Sequence, residues 1–424
     1  MHLKRRNCLK AWQAGVVVPS TQKKRKGEHK MKRVHLVALA ATFFLFTLSC
    51  VFSACTAPLV APPVQLTAQP QSQPTDAAET VDLTTIGMIY ISPVQIPWSA
   101  AHREGLRQAL EAVYDPSQGM QVEEDGEGFR VVDGTGKVVV NTLSWTATTD
   151  FSATEASRVA EDMISKGARL VFVTAENWCQ DLQENVAPSH PDVNFACIRG
   201  PVATNLVSMY PKSWEGFCAA CAAAAAIVDE PELGMLGAYA ENPQVASNHG
   251  ACAACFADTW AEKGGGLPVS ISTVYINNWE NLGDETAGAL ALKEEGARVV
   301  AVHQDSTAAG TALVDTDVWV IGYDSNWAER VAPNDHILTS VVIDWSDIYT
   351  WAVRKTLEGG FVGFRWNHGL AEGAITLAPF SPAADPAARS MADVYAEKLI
   401  DGWKPCGGDD AMWAMDSWEK CYSQ

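Results

Sequence analysis

The sequence has no Gly-x-Ser-x-Gly elbow, no His-Glu-x-x-His pair and no glycine loop of the kind that cradles phosphate. Each of those motifs fixes a nucleophile, a metal or a phosphate in place, so hydrolase, zinc-peptidase and nucleotide-driven chemistry lose their usual supports. No catalytic residue, metal site or cofactor is expected. Basic residues are scarce after the first 54 positions. Residues 55–424 hold 20 Lys and Arg against 49 Asp and Glu, a formal charge near −29. Such a surface repels phosphate backbones and anionic lipid, which argues against nucleic acid or a bare membrane surface as partner. Histidine is sparse too, nine in the chain. His303 stands at an expected strand end, where a hydrogen-bonded structural role is the first reading.

What the chain does have begins with a basic stretch. Residues 1–34 carry eleven Lys and Arg and one acid, Glu28. An uncharged apolar run follows from Val34 to Phe46, then small residues and two cysteines, Cys50 and Cys55. A positive region, an apolar core and small residues make a secretory signal, here residues 1–54 with Met31 as the expected start. Ser53-Ala54-Cys55 looks like a bacterial lipobox, with Cys55 lipidated; Cys50 is the alternative. The run is short for a membrane span. Residues 55–82 are rich in Pro, Gln and Thr and too poor in apolar residues to fold, so they read as a tether.

The rest of the chain is organised around residues 269–345. Apolar runs at 269–276, 297–302, 317–322 and 336–343 each finish in a polar or aromatic cluster, with helix-like or loop segments between them. That is the pattern of a parallel sheet in an α/β fold. Such sheets bind ligands at the carboxyl ends of their strands. Those ends carry Trp279, Asp305, Asp324 and Asp344. Aromatic faces beside carboxylates suit a flat polar molecule that stacks on the rings and donates N–H or O–H hydrogens. The first half repeats the plan. Strands at 84–91, 138–145, 169–173 and 193–198 and helices at 99–113 and 153–167 place Trp98, Asn177, Trp178 and Asp181 at equivalent junctions. Residues 116–136 read as a surface hairpin. Two α/β lobes follow, 83–204 with 344–366 and 205–343 with 367–402; residues 403–424 are a tail.

Eight cysteines remain beyond Cys55. Cys218/Cys221 and Cys252/Cys255 lie in helix interiors among alanines. They read first as small buried packing residues, then as disulfides and last as metal ligands. Cys406 and Cys421 flank the tail, and an even count in an exported chain suits a disulfide between them.

Taken in order, several segments resemble the BMP (basic membrane protein, PnrA-like) family of bacterial solute-binding lipoproteins. They include Ile86-Gly-Met-Ile-Tyr90, Asn205 to Tyr210 with Trp214-Glu-Gly, Asn277-Asn-Trp279, His303-Gln-Asp305-Ser306, Ile321-Gly-Tyr-Asp-Ser325 and Gly373 to Phe380. The match covers most of residues 84–400. The resemblance implies a periplasmic-binding-protein type I fold, with two Rossmann-like lobes joined by a three-strand hinge crossing near 200–205, 343–346 and 364–372. It implies a monomeric, lipid-anchored protein facing the periplasm or cell exterior, serving an ABC permease and ATPase. Family ligands are mostly purine nucleosides, with nucleobases in some branches. Trp98 and Trp279 match the family's stacking aromatics, and Asp181, Asp305 and Asp324 its ligand-facing carboxylates. Two departures, Ile343-Asp344 where nucleoside binders carry Lys and Gln95 where they carry an acid, tilt the expectation toward a free base. A lipoprotein that senses ligand for a membrane receptor is the alternative, and a hydrolase of nucleoside-like substrates a weaker one. Sugar-repressor cores share this fold, but the export signal and the lack of an N-terminal helix-turn-helix count against a regulator.

Overall fold

A computed structural model describes residues 82–147, 152–265 and 268–405. Fourteen strands form two sheets among these residues. In the first half the chain lays down β1 (Thr85–Tyr90), α1 (Pro97–Val113), β2 (Gln121–Asp125), β3 (Gly128–Val132), β4 (Val138–Thr146), α2 (Ala153–Ser165), β5 (Leu170–Val173), α3 (Glu176–Asn185), β6 (Asn194–Ile198) and β7 (Leu206–Met209). The second half has α4 (Ser213–Ile227), β8 (Glu232–Gly237), α5 (Pro243–Glu262), β9 (Ser270–Tyr275), α6 (Leu282–Glu294), β10 (Val299–His303), α7 (Ala308–Ala312), β11 (Trp319–Asp324) and β12 (Ile337–Ile343). The chain ends with α8 (Ser346–Leu357), β13 (Arg365–Trp366), β14 (Ile375–Leu377) and α9 (Pro386–Ile400).

The first sheet runs β13-β7-β6-β5-β1-β4-β3-β2, and the second runs β14-β12-β11-β10-β8-β9. The pairs among β1, β4, β5, β6, β7 and β13 are parallel, and so are those from β8 to β12. Helices cover parallel strands on both faces, which is why β5 and β10 are buried throughout and apolar up to His303 at the end of β10. The insertion at 116–136 folds as the antiparallel pair β2–β3 and extends the edge of the first sheet.

The first lobe boundary needs correcting. Residues 206–209 pair with β6 as β7, so they belong to the first sheet and not to the second lobe. The chain crosses after Tyr210, again at 344–345, and a third time at 367–374. Backbone bonds hold these crossings side by side: Tyr210 N to Trp366 O at 2.7 Å, Lys212 N to His368 O at 2.8 Å and Asp344 N to Ala374 O at 2.8 Å. Helix α1 begins two residues before the expected start at 99, with Pro97 after Ile96. Gly105 lets α1 approach the second crossing closely, because an added Cβ would lie 2.6 Å from Cβ of Trp345.

Helix α4 is buried nearly all round, as an apolar helix without a polar face must be. Its alanines and cysteines let α5 and α9 pack against it. The reading of the Cys-x-x-Cys pairs as packing residues is overturned here. Cys218 pairs with Cys255 and Cys221 with Cys252, so two disulfides staple α4 to α5. Cysteines three apart share a helix face, and the two helices bring those faces together. A third bridge, Cys179–Cys197, ties α3 to β6. Cys55, Cys406 and Cys421 lie outside the described residues.

Candidate ligand-binding site

The carboxyl ends of strands from both sheets wall a cavity of about 430 Å³. Trp98, Asn177 and Arg199 line it from the first lobe, and Trp279, His303 and Asp305 from the second. Trp98 sits in the first turn of α1. Its indole N–H donates to Thr174 O at 2.9 Å, and its ring packs edge-on against His102 and Trp345. That ring is therefore fixed before any ligand arrives. Trp279 follows β9 and stands half-buried, with ring centres 5.7 Å from Tyr239 and 5.9 Å from His303. The amide of Asp305 donates to Trp279 O at 3.0 Å, tying this loop to the end of β10.

The second lobe gathers acids around Asp305. Burial pushes the Asp305 carboxyl well above the usual range, and the charges of Glu280 and Glu285 push it further. Asp324 closes β11 in a left-handed conformation, φ 67°, where a residue other than glycine is strained. It is fully buried, and neither carboxyl oxygen has a hydrogen-bond partner among the described residues. Its pKa is also raised, by burial and then by Asp305. The side-chain amide of Gln304, next to Asp305, is likewise buried without partners. Buried polar groups of this kind cost free energy until a partner reaches them. Burial, then His249 and Arg199, push the His303 pKa down, so the ring is neutral. Asn248 Nδ2 lies 3.0 Å from its Nδ1.

Of the residues expected at the site, Trp98, Asn177, Trp279 and Asp305 share the cavity wall. Asp324 is buried beside Asp305, one strand along. Trp178, Asp181 and Asp344 do not reach it. The first turn of α3 offers Glu176 and Asn177 to the cavity, while Trp178 turns into the core of the first lobe. One turn on, Asp181 accepts from Ser157 Oγ and from Asn185 Nδ2, joining α2 to α3. Asp344 accepts from the amide of Ser346 at 2.8 Å at the start of α8, where a carboxylate offsets the exposed N–H groups of a helix end.

Sequence reasoning missed Arg199, Asn242, Gln244 and Tyr323, all of which line the cavity. The strand-end rule applied elsewhere would have flagged Arg199, which directly follows β6. Asn242 reads as a helix cap, and it does cap α5, accepting from the amides of Gln244 and Val245. Among the described residues no group of three or more His, Cys, Asp or Glu could hold a metal, and no helix is long and apolar enough to cross a membrane.

Relatives share this architecture. A solute-binding protein of an ABC transporter system from Aeropyrum pernix K1 superposes with a TM-score of 0.62 at 14% identity, covering 80% of this chain and 98% of its own. A purine-binding protein of Brucella abortus is 24% identical over 328 residues, 73% of this chain and 79% of that one. A putative ABC transporter glucose-binding protein of Haloferax volcanii is 22% identical over 315 residues, 74% of this chain and 71% of that one. Residues 131–402 match the family described as ABC transporter substrate-binding protein, PnrA-like. With most of both lobes inside that match, the chain belongs to the Bmp family of PnrA-like ABC transporter substrate-binding proteins.

Proposed function

We propose that the protein captures a purine base or nucleoside outside the cytoplasm and hands it, chemically unchanged, to an ABC permease and ATPase. The observation that carries the reading is one indole from each lobe, Trp98 and Trp279, lining a cavity together with the buried carboxyl of Asp305, beside which the unpartnered carboxyl of Asp324 is buried. A flat heterocycle lies between the rings. Stacking on each contributes about 0.5–1.5 kcal/mol beyond area burial. Its N–H or O–H groups hydrogen-bond to Asp305 and Asp324, each bond contributing about 0.5–1.5 kcal/mol to a neutral carboxyl and roughly 1.5–3 kcal/mol to an ionised one. The cavity is of ordinary size for a small ligand. The purine-binding relative supports the ligand class. A free base is favoured over a nucleoside, because Ile343-Asp344 supplies no cation and the Asp344 carboxylate already accepts from the amide of Ser346. Cys55 carries the lipid anchor, and residues 55–82 hold the lobes away from the membrane.

The test is mass spectrometry of the small molecule released when natively exported protein is denatured. A purine or its nucleoside is expected. Glucose, the ligand named for the Haloferax relative, would overturn the ligand class and leave capture standing.

A further inference from the structure

Arg199 stands where the first lobe faces the second. It follows β6 with φ 51°, in the left-handed region. Its backbone is held firmly. Cys197 is disulfide-bonded to Cys179, and Gly200 packs so closely that an added Cβ would lie 2.3 Å from Cβ of Cys179. The side chain is 3% exposed. Within the first lobe, Nη2 lies 3.3 Å from Glu176 Oε1. The guanidinium also sits 5.0 Å from the ring centre of Tyr210, at the first crossing. From that base Nη1 reaches across the cleft to Gln244 Oε1 at 3.0 Å and Asn242 Oδ1 at 3.2 Å, both at the start of α5.

We propose that Arg199 is a positioning residue that latches the two lobes together over the ligand. The proposal rests on two-lobed capture and not on the ligand being a purine. Glu176 and Tyr210 keep the guanidinium with the first lobe in either state, so the bonds to Asn242 and Gln244 form on closing and break on opening. A rigid, buried arginine fork makes such bonds strong and directional. The latch also communicates with the cavity wall. The same Gln244 amide donates to Tyr323 Oη at 3.0 Å and to Ser213 Oγ at 3.1 Å. Ser213 then donates to Asn248 Oδ1 at 2.9 Å, and Asn248 holds His303. Closure at Arg199 thus fixes the side chains of Tyr323 and His303, which line the cavity. Among the described residues a second cross-lobe arginine bond, Arg330 Nη1 to Gln95 O at 3.2 Å, is solvent-exposed and contributes little, as exposed polar contacts do.

The experiment compares full-length wild type with Arg199→Met, which keeps the apolar stem over Tyr210, and with Gln244→Ala, which leaves Arg199 intact. Thermal unfolding first establishes that each variant folds. Small-angle scattering of ligand-free protein then reads the spread of the lobes, and stopped-flow tryptophan fluorescence reads binding of hypoxanthine and inosine. Both variants are expected to be more open. Both probes should dissociate faster by the same factor, about tenfold to a hundredfold, with association changed less than about threefold. Unequal losses for the two probes would place Arg199 on the ligand and overturn the latch. Scattering needs no ligand, so it decides the matter even if neither purine binds: unchanged profiles in both variants overturn the proposal.

Discussion

Replacing the four cysteines that join α4 to α5 should expose how much the paired staple contributes. Cys218 and Cys255 are 37 positions apart. Closing a loop of that length removes unfolded-chain entropy equivalent to roughly 4 kcal/mol at 25 °C. Once it is closed, Cys221–Cys252 closes only a small ring through one turn of each helix, which is equivalent to roughly 2–2.5 kcal/mol. The two bridges are therefore not independent. Removing either pair as Cys→Ala leaves the long loop closed by the other and should cost about 2 kcal/mol. Removing both should cost about 6 kcal/mol, comparable with the whole stability of a small domain. Alanine suits the substitution because all four positions are fully buried among alanines. Urea unfolding followed by tryptophan fluorescence measures the loss. If the fourfold variant is no less stable than either double variant, the staple account fails. Four free thiols in natively exported protein would refute the pairing itself.

Trp279→Ala should weaken ligand binding roughly two- to tenfold through lost stacking alone, read by titration calorimetry. Trp98→Ala should do the same and also lower the unfolding midpoint, since His102 and Trp345 pack on that ring. Burial lifts Glu285 to about 7, although Ser306 Oγ and the amide of Asn281 donate to it. The unfolded chain releases this proton near 4.5 and the folded chain near 7, so stability falls as pH rises through that window. Glu285→Gln should remove this part of the slope in urea midpoints measured from pH 4 to 8, and an unaltered slope would contradict the assignment. Cys55→Ser should release the protein from membranes. Retention of Cys55→Ser together with release of Cys50→Ser would move the anchor to Cys50.

The sheets were legible because buried parallel strands are continuous apolar runs, as at Leu170–Val173 and from Val299 to Val302. Trp98, Trp279 and Asp305 were legible for a related reason. Each follows a strand end, and in such folds those ends meet at one crevice. Asp181 was misplaced because strand-end logic reaches only one turn into the following helix, and Asp181 sits one turn too far. Arg199 escaped a search tuned to aromatics and acids. Its partners come from α5, so its role exists only once the lobes face each other. The cysteines followed the same logic. Spacing of three placed each pair on one helix face, but nothing local says that those faces meet. The boundary at residue 205 failed because a four-residue strand, β7, comes before the crossing and carries no turn signal of its own.

The purine reading rests on two indoles and two buried carboxyls acting together on one ligand. Calorimetric titration of ligand-stripped protein with adenine, guanine, hypoxanthine, their nucleosides and glucose tests it most directly, with Asp324→Ala beside the wild type. One purine bound per chain is expected, with no heat from glucose and a ten- to hundredfold loss on removing the Asp324 carboxyl. Binding of glucose with silence from every purine, or an Asp324→Ala protein that binds as tightly as wild type, would contradict it.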